Sequence, residues 1–403
     1  MKDSGIEWIG EIPEDWDVIR LRYLCEIFTG NQDTQDNVSD GIYPFYVRSP
    51  IVEKSNKYTF EGPAILMAGD GVGAGKIFHY VDGKYGCHQR VYSLQHIHNV
   101  NRRYLYYYLQ NLFYISIETA NTKSTVDSVR LSMLQDFPIA MPTFEQQKIA
   151  DFLDEKVSQI DSTISKTRES IEEYKKLKQA IITEAVTGKN EKVEGKSETL
   201  PDGWKWIKLK YLVKKNLQYG ANESGIEFNS SLPRYIRITD IDSDGKLKSN
   251  EMLSLLEESS KDYLLEDGDI LFARSGASVG KTFIYKSEYG KCCFAGYLIR
   301  AKLNNKIINP KYFFYYTLSS KYDVWKNGIF IQSTIQNIGA DKYSNLEVPV
   351  PPLTSQLSLI TYLDQKCSEI DNLITKKEQL VVELETYKKS LIYEVVTGKR
   401  SVI

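Results

Sequence analysis

The chain is poor in the residues on which most secreted proteins and many enzymes depend. Five cysteines in 403 residues are too few for a disulfide framework. Cys25, Cys87, Cys292, Cys293 and Cys367 form no Cys-x-x-Cys pair, so reduced thiols in a cytoplasmic protein are expected. The four histidines all fall between positions 79 and 98. No Ser-His-Asp arrangement can then serve the whole chain, and Cys87-His88 with His96 and His98 fits no zinc spacing, so no metal is expected. No run of 18 apolar residues is present, so no membrane span is predicted. Met1 to Gly10 lacks the basic-then-apolar pattern of a secretory leader. A net charge of -2 excludes a uniformly basic coat but leaves room for a local basic face.

What is present is repetition. Ile12-Pro-Glu-Asp-Trp16 followed by Ile19-Arg-Leu-Arg-Tyr-Leu24 returns as Leu200-Pro-Asp-Gly-Trp204 and Ile207-Lys-Leu-Lys-Tyr-Leu212, 188 residues later. Residues 144–189 align without a gap on 354–399 at offset 210, with 17 identities in 46 positions. The order is globular, helix, globular, helix. Fainter echoes between these anchors (Ile65–Ala68 with Ile270–Ala273, Tyr104–Tyr108 with Tyr312–Tyr316) indicate one scaffold with two divergent surfaces. Residues 1–143 carry 13 Lys and Arg against 17 Asp and Glu, and residues 199–353 carry 21 against 17. The second globular region is therefore the more basic.

The two matching segments carry a 3.5-residue apolar period. Leu153, Val157, Ile160, Ile164, Thr167, Ile171 and Tyr174 make the first stripe, which Leu177, Ile181 and Ala185 extend. Leu363, Cys367, Ile370, Ile374, Lys377, Val381 and Leu384 make the second. This is the seam of a coiled coil, and each seam has one polar residue at the same place, Thr167 or Lys377. Thr143 reads as an N-cap with Gln146 as its return partner, and Gly188 and Gly398 read as helix stops. Each rod would be about 60 Å long. The stripes can be met by pairing within the chain, parallel or antiparallel, or by a second copy.

The globular regions read as short strands with small helices, an α+β class. Gly71-Val-Gly-Ala-Gly75-Lys76 and Gly276-Ala-Ser-Val-Gly280-Lys281 are one residue short of a nucleotide-binding loop, and a β-like stretch follows each. They read as turns between strands. The aromatic blocks at Tyr104 and Tyr312 read as core. Arg48, Lys76, Gln89, Arg90, Lys123 and Arg130 in the first region are candidate DNA contacts, as are Arg234, Arg237, Arg274, Lys281, Gln332 and Gln336 in the second. Arg suits guanine edges and Gln suits adenine edges.

Taken together, the Pro-x-x-Trp repeats, Pro142-Thr-Phe-Glu-Gln-Gln147-Lys-Ile-Ala-Asp-Phe-Leu153, the Ile160-Asp161 and Ile370-Asp371 pairs and the Thr-Gly-Lys ends resemble the specificity subunits (HsdS) of type I restriction–modification systems. The resemblance implies a target recognition domain at 1–143, a conserved helix at 144–189, a linker at 190–198, a second target recognition domain at 199–353, a second conserved helix at 354–399 and a tail at 400–403. It implies an intramolecular antiparallel coiled coil with pseudo-two-fold symmetry. Double-stranded DNA, two modification subunits and up to two restriction subunits are the partners it implies. S-adenosylmethionine, ATP and Mg²⁺ would sit on those subunits, and no catalysis is expected of this chain. A coiled-coil adaptor without DNA function is the alternative reading.

Overall fold

A computed structural model of the chain describes residues 1–120, 128–188, 200–242, 245–331 and 337–402. It divides into two compact units, Met1–Arg168 with Glu378–Ile403, and Glu169–Lys377. Each therefore takes one globular region together with parts of both long helices.

In the first unit a four-stranded antiparallel sheet runs in the order Glu26–Thr29, Val91–Gln95, Ala64–Ala68, Phe78–Val81. Beside it lies a mixed sheet ordered Glu53–Ser55, Tyr43–Tyr46, Lys84–Cys87, Phe60–Glu61, with its two inner strands parallel. Ala64–Ala68 is buried on both faces, as its unbroken apolar sequence requires. The strand Asp17–Arg20 pairs with Pro138–Met141. The second unit repeats the plan: Gln218–Tyr219, Leu298–Ala301, Ile270–Ala273, Thr282–Ile284 in one sheet, and the parallel pair Arg234–Ile236 with Cys292–Phe294 in the other. Lys205–Lys208 pairs with Glu347–Val350, the counterpart of the first unit's two-stranded ribbon.

The aromatic blocks are core. Tyr104, Tyr107 and Tyr108 lie buried on the helix Arg102–Ala120, and Tyr312, Phe313, Tyr315 and Tyr316 on Pro310–Thr317. Their hydroxyls seat each globular part on the rods. Tyr107 Oη donates to Asp154 at 2.6 Å, and Tyr315 Oη to Asp364 at 2.6 Å. Arg103 and Lys311 reach the same two carboxylates.

The rods are the helices Gln146–Thr187 and Leu353–Val396. In the first unit, Leu153, Ile160, Ile164 and Val381 join one core cluster, with Val157 packed on it. In the second unit, Leu363 and Cys367 share a cluster with Ile182 and Val186. Ile171 and Ile370 are buried, and Ile374 is half-buried. Thr167, the polar break, turns its hydroxyl back to the Thr163 carbonyl at 2.7 Å and so is satisfied within its own helix. Lys377 places its ammonium 5.6 Å from the Tyr174 ring centre.

Both units carry the helices antiparallel, and the same ion pair recurs in each. Lys388 Nζ meets Asp161 at 2.6 Å in the first unit, and Lys178 Nζ meets Asp371 at 2.6 Å in the second. Asp371 and Lys388 are the offset-210 counterparts of Asp161 and Lys178. The Ile-Asp repeat is thereby explained: the Ile fills the seam and the Asp fixes register from its rim. The helix ends are closed by the Pro-x-x-Trp repeats. A Cβ on Gly398 would lie 2.3 Å from Pro13 and 3.3 Å from Trp16; one on Gly188 would lie 2.5 Å from Pro201 and 3.7 Å from Trp204. Both glycines have positive φ, +73° and +68°, as helix stops do.

Two local expectations are corrected. Gln146 does not return to cap its own helix. Its Oε1 accepts from the Asn101 N–H at 2.5 Å and its Nε2 donates to Pro142 O, while Thr143 donates to Asp15 O. Gln356 does the same for Asn309 at 2.7 Å. The amide gains more by tying the neighbouring helix start than by closing a solvated cap. Leu177 does not extend the seam: it is exposed, and Ile182 and Val186 are buried instead. Here the rod packs on the globular part as well as on its partner helix, and the buried face shifts accordingly.

Candidate nucleic-acid interface

Strand registers decide which loops meet. In the first unit Ala68 faces Val91, Tyr92 faces Thr29, and Met67 faces Phe78. The segments 30–33, 69–77 and 88–90 therefore gather at one end of the main sheet. Val129 N–H donates to Gly69 O at 2.7 Å, which brings Arg130 to the same end. Arg48 joins through Asp70, to which its Nη1 donates at 3.1 Å. Arg90 Nε lies 3.7 Å from the other oxygen of Asp70. Lys76 is exposed, its ammonium 4.1 Å from the Tyr114 ring centre. The structure thus collects Arg48, Lys76, Gln89, Arg90 and Arg130 at one edge. Lys123 lies outside the described residues.

Asp33 organises the rest of this edge. Gln89 Nε2 donates to its Oδ2 at 3.0 Å, and His88 Nε2 sits 3.3 Å from Oδ1, off the line of a hydrogen bond. The donating N–H of Thr34 holds the Asp33 carboxyl below the usual carboxylate range, and His88 adds to this. His88 Nδ1 accepts the Arg90 N–H at 3.0 Å, so the buried ring shapes the turn that presents Gln89 and Arg90.

In the second unit Ala273 faces Leu298, Ile299 faces Tyr219, and Phe272 faces Thr282. Arg274 and Lys281 follow at the equivalent sheet end. The Arg274 guanidinium lies 4.8 Å from the Tyr219 ring centre, and its Nε is buried without a hydrogen-bond partner among the described residues. Tyr297, 63% exposed, stands beside it, with its carbonyl accepting the Arg274 N–H at 3.0 Å. Arg237 follows Ile236, whose carbonyl accepts the Ala295 N–H, so it too reaches this end. It is tied down by Asp240, with Nη2 to Oδ1 at 2.8 Å. Arg234 is not brought there. It begins its strand at the far end and donates to Lys248 O. Gln332 and Gln336 lie outside the described residues.

Reasoning from sequence missed the carboxylates Asp33, Asp70 and Asp240 and the exposed rings of Tyr219 and Tyr297. Only the strand pairing brings these to the arginines, since their sequence separations follow no period. The glycine turns behave as strand connections, with Gly75 at φ +66° and Gly280 at +81°. Among the described residues no group of three His, Cys, Asp or Glu could hold a metal ion. Among them, too, no helix is long and apolar enough to cross a membrane.

A duplicated α+β unit, each copy ending its main sheet in cations and seated on an antiparallel helix pair, has the cationic edges expected of a protein with two nucleic-acid-binding surfaces. The chain belongs to the family of type I restriction modification DNA specificity domains, whose model matches residues 13–173 and 201–383. It is thus a specificity subunit, the non-catalytic DNA-recognition component of such a system. It is 24% identical over 392 residues to the type I restriction enzyme EcoDI specificity subunit of Escherichia coli, covering 90% of this chain and 84% of that one. It is 26% identical over 416 residues to the MjaVIII specificity subunit of Methanocaldococcus jannaschii, covering 97% and 94%. In fold, it matches a chain solved in work on complex assembly and conformational transition of the type I R-M system, with TM-score 0.74, 16% identity and coverage of 97% and 100%. It also matches the HsdS subunit from Thermoanaerobacter tengcongensis, with TM-score 0.52, 16% identity and coverage of 97% and 98%.

Proposed function

We propose that each unit reads one half of a bipartite, asymmetric DNA target through its cationic sheet end, and that the paired rods set the gap between the halves. The observation that carries this reading is one scaffold with two different edges. Equivalent strands end in Arg48, Asp70, Gln89 and Arg90 in the first unit, and in Tyr219, Arg274, Lys281 and Tyr297 in the second. Shared strands with changed tips are what two targets of one kind require. Phosphate contacts would set register, and base edges in the major groove would supply sequence. Lys123, Arg130, Arg237, Gln332 and Gln336 remain proposed contacts alongside these, while Arg234, at the far end of its strand, is not part of this edge.

The rods and the surfaces beside them dock two modification subunits, and up to two restriction subunits join the complex. S-adenosylmethionine, ATP and Mg²⁺ act on those partners. The test is selection from a randomised duplex library by the chain in complex with its modification subunits, at several salt concentrations. Two fixed blocks separated by unspecified base pairs, with salt-dependent affinity, are expected. A single contiguous block, or no salt-sensitive DNA binding, contradicts the reading and favours an adaptor.

A further inference from the structure

We propose that Asp70 is a positioning residue for base recognition by the first unit, fixing Arg48 and Arg90 in the orientation from which they read. This rests on the DNA-reading role proposed above. Asp70 follows the central strand Ala64–Ala68, and its backbone is bridged to Ser128. Its side chain is 20% exposed and lies between two arginines from different loops, Arg48 after the strand Tyr43–Tyr46 and Arg90 in the turn before Val91–Gln95. Arg48 Nη1 donates to Oδ1 at 3.1 Å, and Arg90 Nε stands 3.7 Å from Oδ2. The two arginine side chains are 44% and 65% exposed; Arg48 spends one N–H on Asp70, and Arg90 is held to the same carboxylate by an ion pair without a hydrogen bond. The remaining N–H donors stay available for a guanine edge or a phosphate.

Stability is a poor reason for this cluster, because exposed ion pairs contribute little. Affinity is a worse one, since a carboxylate at a DNA-facing edge repels phosphate. What one carboxylate between two long side chains does supply is fixed direction, which bidentate base contacts demand. In the second unit a carboxylate holds Arg237 through Asp240, but among the described residues none stands at the position of Asp70. Ser275, bridged to Asn337 as Asp70 is to Ser128, occupies the equivalent place, and Tyr297 stands where Arg90 does. There Arg274 is steadied by Tyr219 instead. The effect of Asp70 is therefore confined to one half of the target.

The experiment uses the full chain with its modification subunits. Asp70→Asn and Asp70→Ser are compared with the parent in selection from a randomised duplex library and in binding to a non-specific duplex. Preference at one or two base pairs of the first half is expected to fall about tenfold. Preference in the second half stays unchanged, which also reports an intact fold, and non-specific binding stays equal or tightens. Arg48→Lys or Arg90→Lys, which keep charge but lose the fork, weaken preference at the same base pairs. Unchanged first-half preference overturns the proposal, as does loss of both halves together, which is a folding defect. A switch from one preferred base to another also overturns it, since Asp70 would then read the base itself. Failure of the parent complex to select any sequence overturns the DNA-reading role instead.

Discussion

Replacing Tyr104 by Phe tests how the globular parts are seated on the rods. The Tyr104 hydroxyl lies 2.5 Å from Ala140 O and 3.0 Å from Val396 O, the last residue of its helix. Tyr312 repeats this with Pro349 O at 2.7 Å and Val186 O at 3.1 Å. One proton serves two carbonyls, one of which is an orphan of a helix C-terminus. Burial pushes the Tyr104 hydroxyl well above its ordinary pKa, so it remains a donor at any working pH. Phe keeps the ring packing and leaves a buried carbonyl unpaired, which costs about 1–3 kcal/mol. For a unit of this size each kcal/mol lowers Tm by about 2–4 °C. Thermal unfolding should therefore shift by about 2–12 °C for Tyr104→Phe and again for Tyr312→Phe. The hydroxyls belong to different units, so the two losses should add to within about 0.5 kcal/mol. Tyr23→Phe, at a 64% exposed ring, is the control and should change little. A Tm within about 1 °C of the parent for both buried variants would refute the seating argument.

Gly398→Ala forces a Cβ to within 2.3 Å of Pro13 at φ +73°, so a loss above about 1 kcal/mol is expected in denaturant unfolding. Gly188→Ala should behave alike against Pro201. Reversing Lys388 and Asp161 singly weakens the rod pairing, and reversing both restores it. The coupling in a double-mutant cycle is about 0.2–1 kcal/mol because Asp161 is half exposed. Burial pushes the thiols of Cys25, Cys87 and Cys293 up to about 12. Their folded values lie above the unfolded ones, so their contribution is complete below about pH 8.5. It is lost as pH rises from there towards 12, and alkaline unfolding with slow thiol alkylation below pH 8 is the readout. Fast alkylation of the folded chain would contradict this burial.

The sequence made the rods, the duplication and most inner strands legible, because each repeats with a period. Ala64–Ala68 could be read from its apolar run, and Ile160 and Ile370 from heptad spacing. The edge strands Glu26–Thr29 and Lys205–Lys208 could not, because they are short and largely solvated. Nor could the turn inward at Ile182 and Val186, where tertiary packing overrides the heptad. At the site, residue types were legible but company was not. Arg48, Asp70 and Arg90 meet only through strand register, and nothing local marks Arg234, among the described candidates, as directed elsewhere.

The most direct measurement is the gap itself. A matched heptad is removed from both rods, and the selected or methylated sites are mapped with the modification subunits present. Seven residues at 1.5 Å rise shorten each rod by about 10 Å, or about three base pairs. The same two half-sites are expected, with fewer unspecified base pairs between them. Altered half-site bases with an unchanged gap would contradict this.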